Sequence, residues 1–340
     1  MEMSARKLNI LSAVVRQYIE TGEPVGSKAL TELFLPAISS ATLRSEMSEL
    51  CQMGFLNQPH TSAGRVPTVS GYRFYLDRLL TPHRLSERDR AFLRSLIPSG
   101  IYSVRELMDA TAEAVAETTN CAAVAATPLN DAAHVYKVEA IPVNRQAAMV
   151  VLITDNGQVK SRSCYIPETF GGDHFTLFNR FSEAAFSRKP LSDITPVEIQ
   201  RLAASLPQAM AFAPLLAAVL ELARDAAEAE IHTLKESNLF SYRESDTAAA
   251  HLLRDLIRQS SEILSMLAAG NRAPDVLMGA ETGVSELRPY ALILSGFAMG
   301  SRAGKIGVIG PARMPYEEII PKLEFFSALL SDKISELEGQ

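Results

Sequence analysis

Cysteine and tryptophan are scarce in this chain, and no signature of an enzyme stands out. The 340 residues hold three cysteines and no tryptophan. Cys51, Cys121 and Cys164 lie far apart and form no Cys-x-x-Cys pair. That spacing argues against a disulfide framework or a cysteine zinc site and fits a reducing, cytoplasmic compartment. The six histidines, at positions 60, 83, 134, 174, 232 and 251, include no i,i+4 pair, so the sequence offers no helical metal site. No Gly-x-Ser-x-Gly elbow is present. The stretch Gly300–Ile306 places three residues between its glycines and Ile306 after Lys305, which departs from the phosphate loop that holds a nucleotide. The sequence thus predicts a protein that is not an enzyme and needs no cofactor. Positive charge is also lacking. The net charge is -6, so the whole-chain balance gives no hint of a nucleic-acid partner.

A secretory leader is not expected, because Met1 to Lys7 run into a short polar–apolar pattern. One stretch, Leu202 to Leu220, lacks charge entirely. It contains Ser205, Pro207, Gln208, Pro214 and many alanines, so it reads as a buried or interface helix rather than a span of ~20 apolar residues. No membrane association is expected. Hydrophobic residues make up 47% and charged residues 21%, as in ordinary globular proteins. At ~150 residues per domain the length suits two or three domains.

Turn and cap signals are dense in the first eighty residues. Leu8, Leu11, Val14, Val15, Tyr18 and Ile19 predict a helix over about 4–20, ended by Gly22. Pro24 to Ser27 form a turn, and Ser27 caps a short helix carrying Leu30, Leu33 and Phe34. Ser39-Ser40 open a third helix with Leu43, Met47, Leu50 and Cys51 facing inward. That order is helix-turn-helix. Outward at the third helix's start are Ser40, Thr42, Arg44 and Ser45, short donors and one guanidinium that suit entry into a major groove. Residues 55–68 read as two short strands joined by a glycine-containing tip that offers His60, Thr61, Ser62 and Arg65 for phosphate or minor-groove contact. Charge is uneven between the two parts. Residues 1–80 hold eight basic and seven acidic side chains, a net of +1, and the remainder carries -7.

Further along, helices are predicted at 86–97 and 102–119, and strands at 121–126, 135–143, 147–154 and 158–166. Asn156-Gly157 predicts a primed hairpin turn between the last two. Residues 167–240 read as mostly helical, and a helix over 246–269 ends at Gly270. Strands return at 275–278, 291–296 and 305–309 before a last helix over 316–337. Strands on both sides of a helical block predict an α+β multidomain chain, with an α/β domain that carries a helical insertion.

Several segments together resemble the heat-inducible transcription repressor family HrcA. They are Gly22–Lys28, Ser39–Arg44, Pro59–Thr68, Gly71-Tyr72-Arg73, Met278–Glu281 and Gly310–Tyr316. The resemblance implies an N-terminal winged helix-turn-helix domain (1–80), a GAF-like α/β domain in two parts (86–166 and 241–340) and an inserted dimerisation domain (167–240). It implies a homodimer that binds double-stranded DNA at an inverted-repeat operator upstream of chaperone genes. It also implies dependence on a GroEL-type chaperonin. On this reading Arg44 reads a base, Ser40 and Thr42 support it, Lys28 meets phosphate, and His60, Thr61, Ser62 and Arg65 hold the wing. Where Ser45 stands, the family commonly has Asn, so one contact differs. Leu215, Leu216, Val219 and Leu220 could form the dimer contact or an internal core helix. Arg313 and Tyr316 could touch a ligand in the GAF-like pocket or brace their loop. A metabolite-sensing winged-helix regulator that uses that pocket is the alternative function.

Overall fold

The computed structural model describes residues 3–34, 38–61, 63–128, 130, 133–206, 209–228, 231–235, 237–238, 274–281, 287–300 and 302–338. Ser62 and the helix expected at 246–269 lie outside the described residues.

Apolar spacing builds the N-terminal unit as expected. Helix α1 (Ala5–Thr21) is capped by the Ser4 hydroxyl and buries Ile10, Leu11, Val14 and Val15. Helix α2 (Ser27–Phe34) buries Leu30, while Leu33 is 62% exposed. The inward face of this short helix is thus narrower than its sequence suggests: eight residues give room for one deep anchor. Helix α3 (Ser40–Gln52) buries Leu43, Met47 and Leu50. Strands β1 (Leu56–Asn57) and β2 (Val66–Pro67) pair antiparallel. Helix α4 (Val69–Phe74) follows and continues into a π-helical turn, Tyr75–Leu79.

The body is built on one antiparallel sheet. After α5 (Glu87–Ser95) and α6 (Val104–Thr119), the strands are β3 (Ala122–Ala126), β4 (Val135–Asn144), β5 (Ala147–Thr154) and β6 (Val159–Tyr165). Helices α7 (Gly172–Phe186), α8 (Pro196–Ala204) and α9 (Ala209–Ala227) follow. The last elements are β7 (Ile231–Leu234), β8 (Asp275–Met278), β9 (Tyr290–Met299), β10 (Arg302–Pro311) and α10 (Tyr316–Glu338). Five strands pair in the order β7-β3-β10-β9-β8, and β4-β5-β6 form a separate sheet. In β9 every residue from Tyr290 to Phe297 is buried, so both faces of the large sheet are covered. Its α6/α10 face shares one apolar cluster with the N-terminal unit, running from Ile10 and Leu43 to Phe326 and Ile334.

The packing divides the chain differently from the sequence expectation, which places β4–β6 with the large sheet and runs the insertion over 167–240. Val138, Ala140, Ala148, Val150 and Leu152 pack with Phe178, Phe212 and Leu222 in a core of their own. Strand β7 returns to the large sheet and pairs with β3 from Ala123↔Leu234 to Ala126↔Ile231. The apolar face of a three-stranded sheet needs a cover, and α7 and α9 supply it. Four-residue β7 is too short to leave a periodic signature.

One further expectation is revised, and for another stretch the packing matches one of the two readings left open. The hairpin between β5 and β6 is a three-residue loop, not a two-residue primed turn. Gly157 N–H donates to the Thr154 carbonyl at 3.0 Å, and Gly157 takes the left-handed conformation at φ 81°, a geometry of three-residue hairpins. The four residues considered for a dimer contact belong to the chain's own core: Leu215, Leu216 and Val219 are at most 1% exposed, and Leu220 packs against the same cluster. With α9 packed against β5, β6 and α8, its apolar stripe is consumed internally.

Candidate nucleic-acid interface

With Leu43, Met47 and Leu50 turned inward, the i, i+3, i+4 spacing puts Ala41, Arg44 and Ser45 on the opposite side of α3. All three are exposed. The start of this helix is fixed by its own hydroxyls. Ser39 Oγ accepts the Thr42 N–H at 3.2 Å and lies 2.9 Å from Thr42 Oγ1. Ser40 Oγ is 3.2 Å from Ser27 Oγ, which ties α3 to α2. Ser40 and Thr42 are therefore half-buried and act on the helix end itself, while Arg44 and Ser45 remain outward. Sequence reasoning misses Ala41, although an exposed methyl at this place suits the methyl of thymine. The acids of α3 are matched from α1: Lys7 Nζ lies 3.1 Å from Glu46 and 3.0 Å from Glu49, and Arg6 lies 3.7 Å from Glu46. Hydrogen bonding to Glu49 and Glu46 raises the Lys7 pKa.

The β1–β2 hairpin sits beside this helix on a backbone clip. Val25 and Arg65 exchange both N–H···O bonds, at 2.9 and 2.8 Å. A Cβ on Gly64 would lie 2.4 Å from the Val25 carbonyl carbon, so only glycine lets the two segments approach. Two stretches that look separate in the sequence, Gly22–Lys28 and Pro59–Thr68, are thus one structural piece. Lys28 is exposed in the first turn of α2. His60 and Thr61 are exposed at the hairpin tip. Arg65 stands where the hairpin loop enters β2, half-buried, with Nη1 donating to the Ala63 carbonyl at 3.4 Å. Its Nε is buried without a hydrogen-bond partner among the described residues. Gln58, which no pattern singles out, pins the tip by donating to the carbonyls of Thr61 (2.8 Å) and Ala63 (3.2 Å). Thr68 caps α4 through the Gly71 N–H at 3.0 Å and donates to the Gly54 carbonyl at 2.6 Å. Its position ahead of a helical run is the available sequence signal.

The other predicted residues fall elsewhere. Tyr316 has no exposure; it donates to the Ala312 carbonyl at 2.6 Å, and burial pushes its pKa up. Arg313 Nη1 donates to the Ile19 carbonyl at 3.4 Å. This is the bracing geometry, with the loop held against α1. Among the described residues there is no His/Cys/Asp/Glu group able to hold a metal ion and no helix long and apolar enough to cross a membrane.

Known proteins share this chain from end to end. The family model described as the HrcA protein C terminal domain matches residues 105–320. The heat-inducible transcription repressor HrcA of Syntrophobacter fumaroxidans is 30% identical, with 98% of each chain covered. The protein of the same description from Acetivibrio thermocellus is 29% identical over 100% of this chain and 99% of its own. A crystal structure described as a hypothetical protein superposes with a TM-score of 0.70 at 21% identity, covering 99% of this chain and 100% of that one, which supports the fold. A family model over more than half the chain and relatives matched from end to end lead to one conclusion: this chain belongs to the HrcA family, whose relatives named above are heat-inducible transcription repressors.

Proposed function

We propose that the protein is a heat-inducible repressor of chaperone genes that binds an inverted-repeat operator as a homodimer. In this reading the N-terminal unit is a winged helix, with α3 in the major groove and the β1–β2 hairpin as the wing. The body sheet is the GAF-like domain. The observation that carries the reading is the outward face of Ala41, Arg44 and Ser45 on a capped helix end, beside a hairpin clipped to the turn before α2. Arg44 reads a guanine with its guanidinium fork. Ser45 adds a contact to a base or phosphate. Lys28 and the wing residues His60, Thr61 and Ser62 meet phosphate, and Arg65 stiffens the loop end of the wing. Ser40 and Thr42 hold the helix end in place.

An inverted repeat requires a two-fold reader. The second copy is met by the face of the β4–β6 sheet that no other described element packs against. Register puts Ile141, Met149, Val151, Ile153, Val159 and Tyr165 on that one face, and none of the six is buried. Repression is modulated by heat and by a GroEL-type chaperonin.

The test is a gel shift at fixed salt with an inverted repeat taken from upstream of chaperone genes, run with and without chaperonin and before and after a heat pulse. Arg44→Ala should lose about 1–3 kcal/mol of discrimination at one base pair per half-site. Lys28→Ala should weaken every sequence alike and flatten the salt slope by about 0.9 for each phosphate no longer neutralised. An Arg44→Ala protein that kept the wild-type ratio of operator to scrambled DNA would overturn the base-reading role.

A further inference from the structure

The N-terminal unit is held to the body by two carboxylates that its own sequence does not contain. Glu317, in the first turn of α10, accepts the Tyr75 hydroxyl at 2.5 Å and lies 2.8 Å from Arg16 Nη2. His83 Nε2 stands 3.5 Å from its other oxygen, and the His83 N–H donates to its carbonyl at 2.9 Å. Glu281, just after β8, grips Arg73 with both oxygens, one bond being Arg73 Nε to Oε1 at 2.9 Å. Arg73 Nη2 also donates to the Val276 carbonyl at 2.8 Å. The Met278 N–H fixes the Glu281 carboxylate at 3.0 Å. Burial and the Glu317 bond push the Tyr75 pKa up to about 12, so this hydroxyl stays a donor at any working pH.

These anchors leave from different parts of each unit. Arg16 is on α1, Arg73 on α4 and Tyr75 in the π-helical turn; Glu281 and Glu317 stand at the ends of different body elements. One anchor would act as a pivot. Two anchors fix rotation as well as position, and a bidentate guanidinium–carboxylate pair fixes it more tightly than a point charge. The apolar layer beneath is continuous, with the Tyr72 and Tyr316 rings 6.5 Å apart. Exposed single ion pairs contribute little to stability, but networks with good geometry are the exception. The arrangement is better suited to orientation than to adhesion, because the apolar layer already supplies the adhesion.

We propose that Glu281 and Glu317 are positioning residues that set the orientation of the reading head and thereby make the repressor selective for the spacing between its two half-sites. This rests on the operator-reading function proposed above. Half-sites one turn apart present matching faces only at one spacing, since about 10–10.5 base pairs make a turn. A dimer with welded heads senses that phase; one with heads free to swivel does not.

The experiment uses the full-length protein with Glu281→Gln, Glu317→Gln and the double variant. Binding is measured to duplexes with native spacing, with two and with five base pairs added, and to a single half-site. Wild type should prefer native spacing by about tenfold or more, and the double variant by about threefold or less, at the scale typical of coupling between sites. Half-site affinity should be unchanged. A charge swap, Arg73→Glu with Glu281→Arg, should recover the preference that either change alone removes, and this keeps the idea testable if the double variant folds poorly. A double variant that kept the full spacing preference would overturn the proposal. So would a fall in half-site binding in step with spacing, which marks a purely structural role. A wild type that bound neither operator nor half-site would instead defeat the operator-reading function itself.

Discussion

The N-terminal unit buries Ile10, Leu11 and Leu43 in the same cluster as Leu323, Phe326 and Ile334 of the body. The segment from 133 to 228 instead closes Phe178, Phe212, Leu215 and Leu222 into a cluster of its own. Both hang from the five-stranded sheet, yet among the described residues one shares its apolar cluster and the other keeps a cluster apart and meets the end of the β3 linker in a small polar knot. In that knot the Asn130 N–H donates to the Ala227 carbonyl at 2.8 Å, and Asn130 Nδ2 donates to the Ala226 carbonyl at 3.2 Å. A shared core keeps two units together through any local opening, while a separate core can loosen alone. The N-terminal unit, proposed above to read the operator, has the first kind of joint.

The largest effect is expected inside the separate core. Phe212 is fully buried, its ring 5.5 Å from that of Phe170 and 6.2 Å from that of Phe178. Phe212→Ala should cost about 3–5 kcal/mol through the cavity it leaves. Calorimetry should show an early transition confined to this segment, with single half-site binding intact below the main melt. Parallel loss of both would show that the two cores act as one.

The mirror experiment disrupts the head. Gly64→Ala drives a Cβ against the Val25 backbone, which has no flexible end to yield. A cost of about 1–3 kcal/mol is expected for such overpacking, seen in a denaturant melt, together with weaker DNA binding at all sequences. The separate core should not respond. Unchanged stability would mean that the hairpin clip relaxes freely.

The smallest effect separates the two regions by pH. Hydrogen bonds from Arg201 and then Lys189 hold the Glu198 carboxyl down at about 2. A depressed carboxylate stabilises the fold above its ordinary pKa and loses that contribution as pH falls through the folded value. The melting difference between wild type and Glu198→Gln should therefore be steady at neutral pH. It should shrink between about pH 4.5 and about pH 2, on the separate core alone. A difference independent of pH would assign the residue another role.

Much of the head is legible in the sequence because its signals are local. Ser39 before Leu43, Gly22 after Ile19 and Gly64 between short strands each carry a backbone requirement in their own chemistry. Arg44 and Lys28 stand outward because the apolar period of each helix puts its other side inside. Sequence places Arg65 on the tip side of the hairpin, as the register does, but cannot reveal its pairing with Val25, forty residues away. Leu215, Leu216 and Val219 admit two readings for a similar reason. An apolar helix stripe looks the same whether a sheet of the same chain or a second copy covers it.

Near-neighbour chemistry therefore accounts for the helices and their caps, most strands, the glycine positions, the outward face of Ala41, Arg44 and Ser45 and the motifs that mark the family. Folding in three dimensions added which strands share a sheet, where the separate core begins and ends, and the reach of Glu281 and Glu317 back to Arg73, Tyr75 and Arg16. These pairings join residues more than two hundred positions apart. Period, cap and turn chemistry act over a few residues, whereas such contacts exist only once the intervening chain has folded between them.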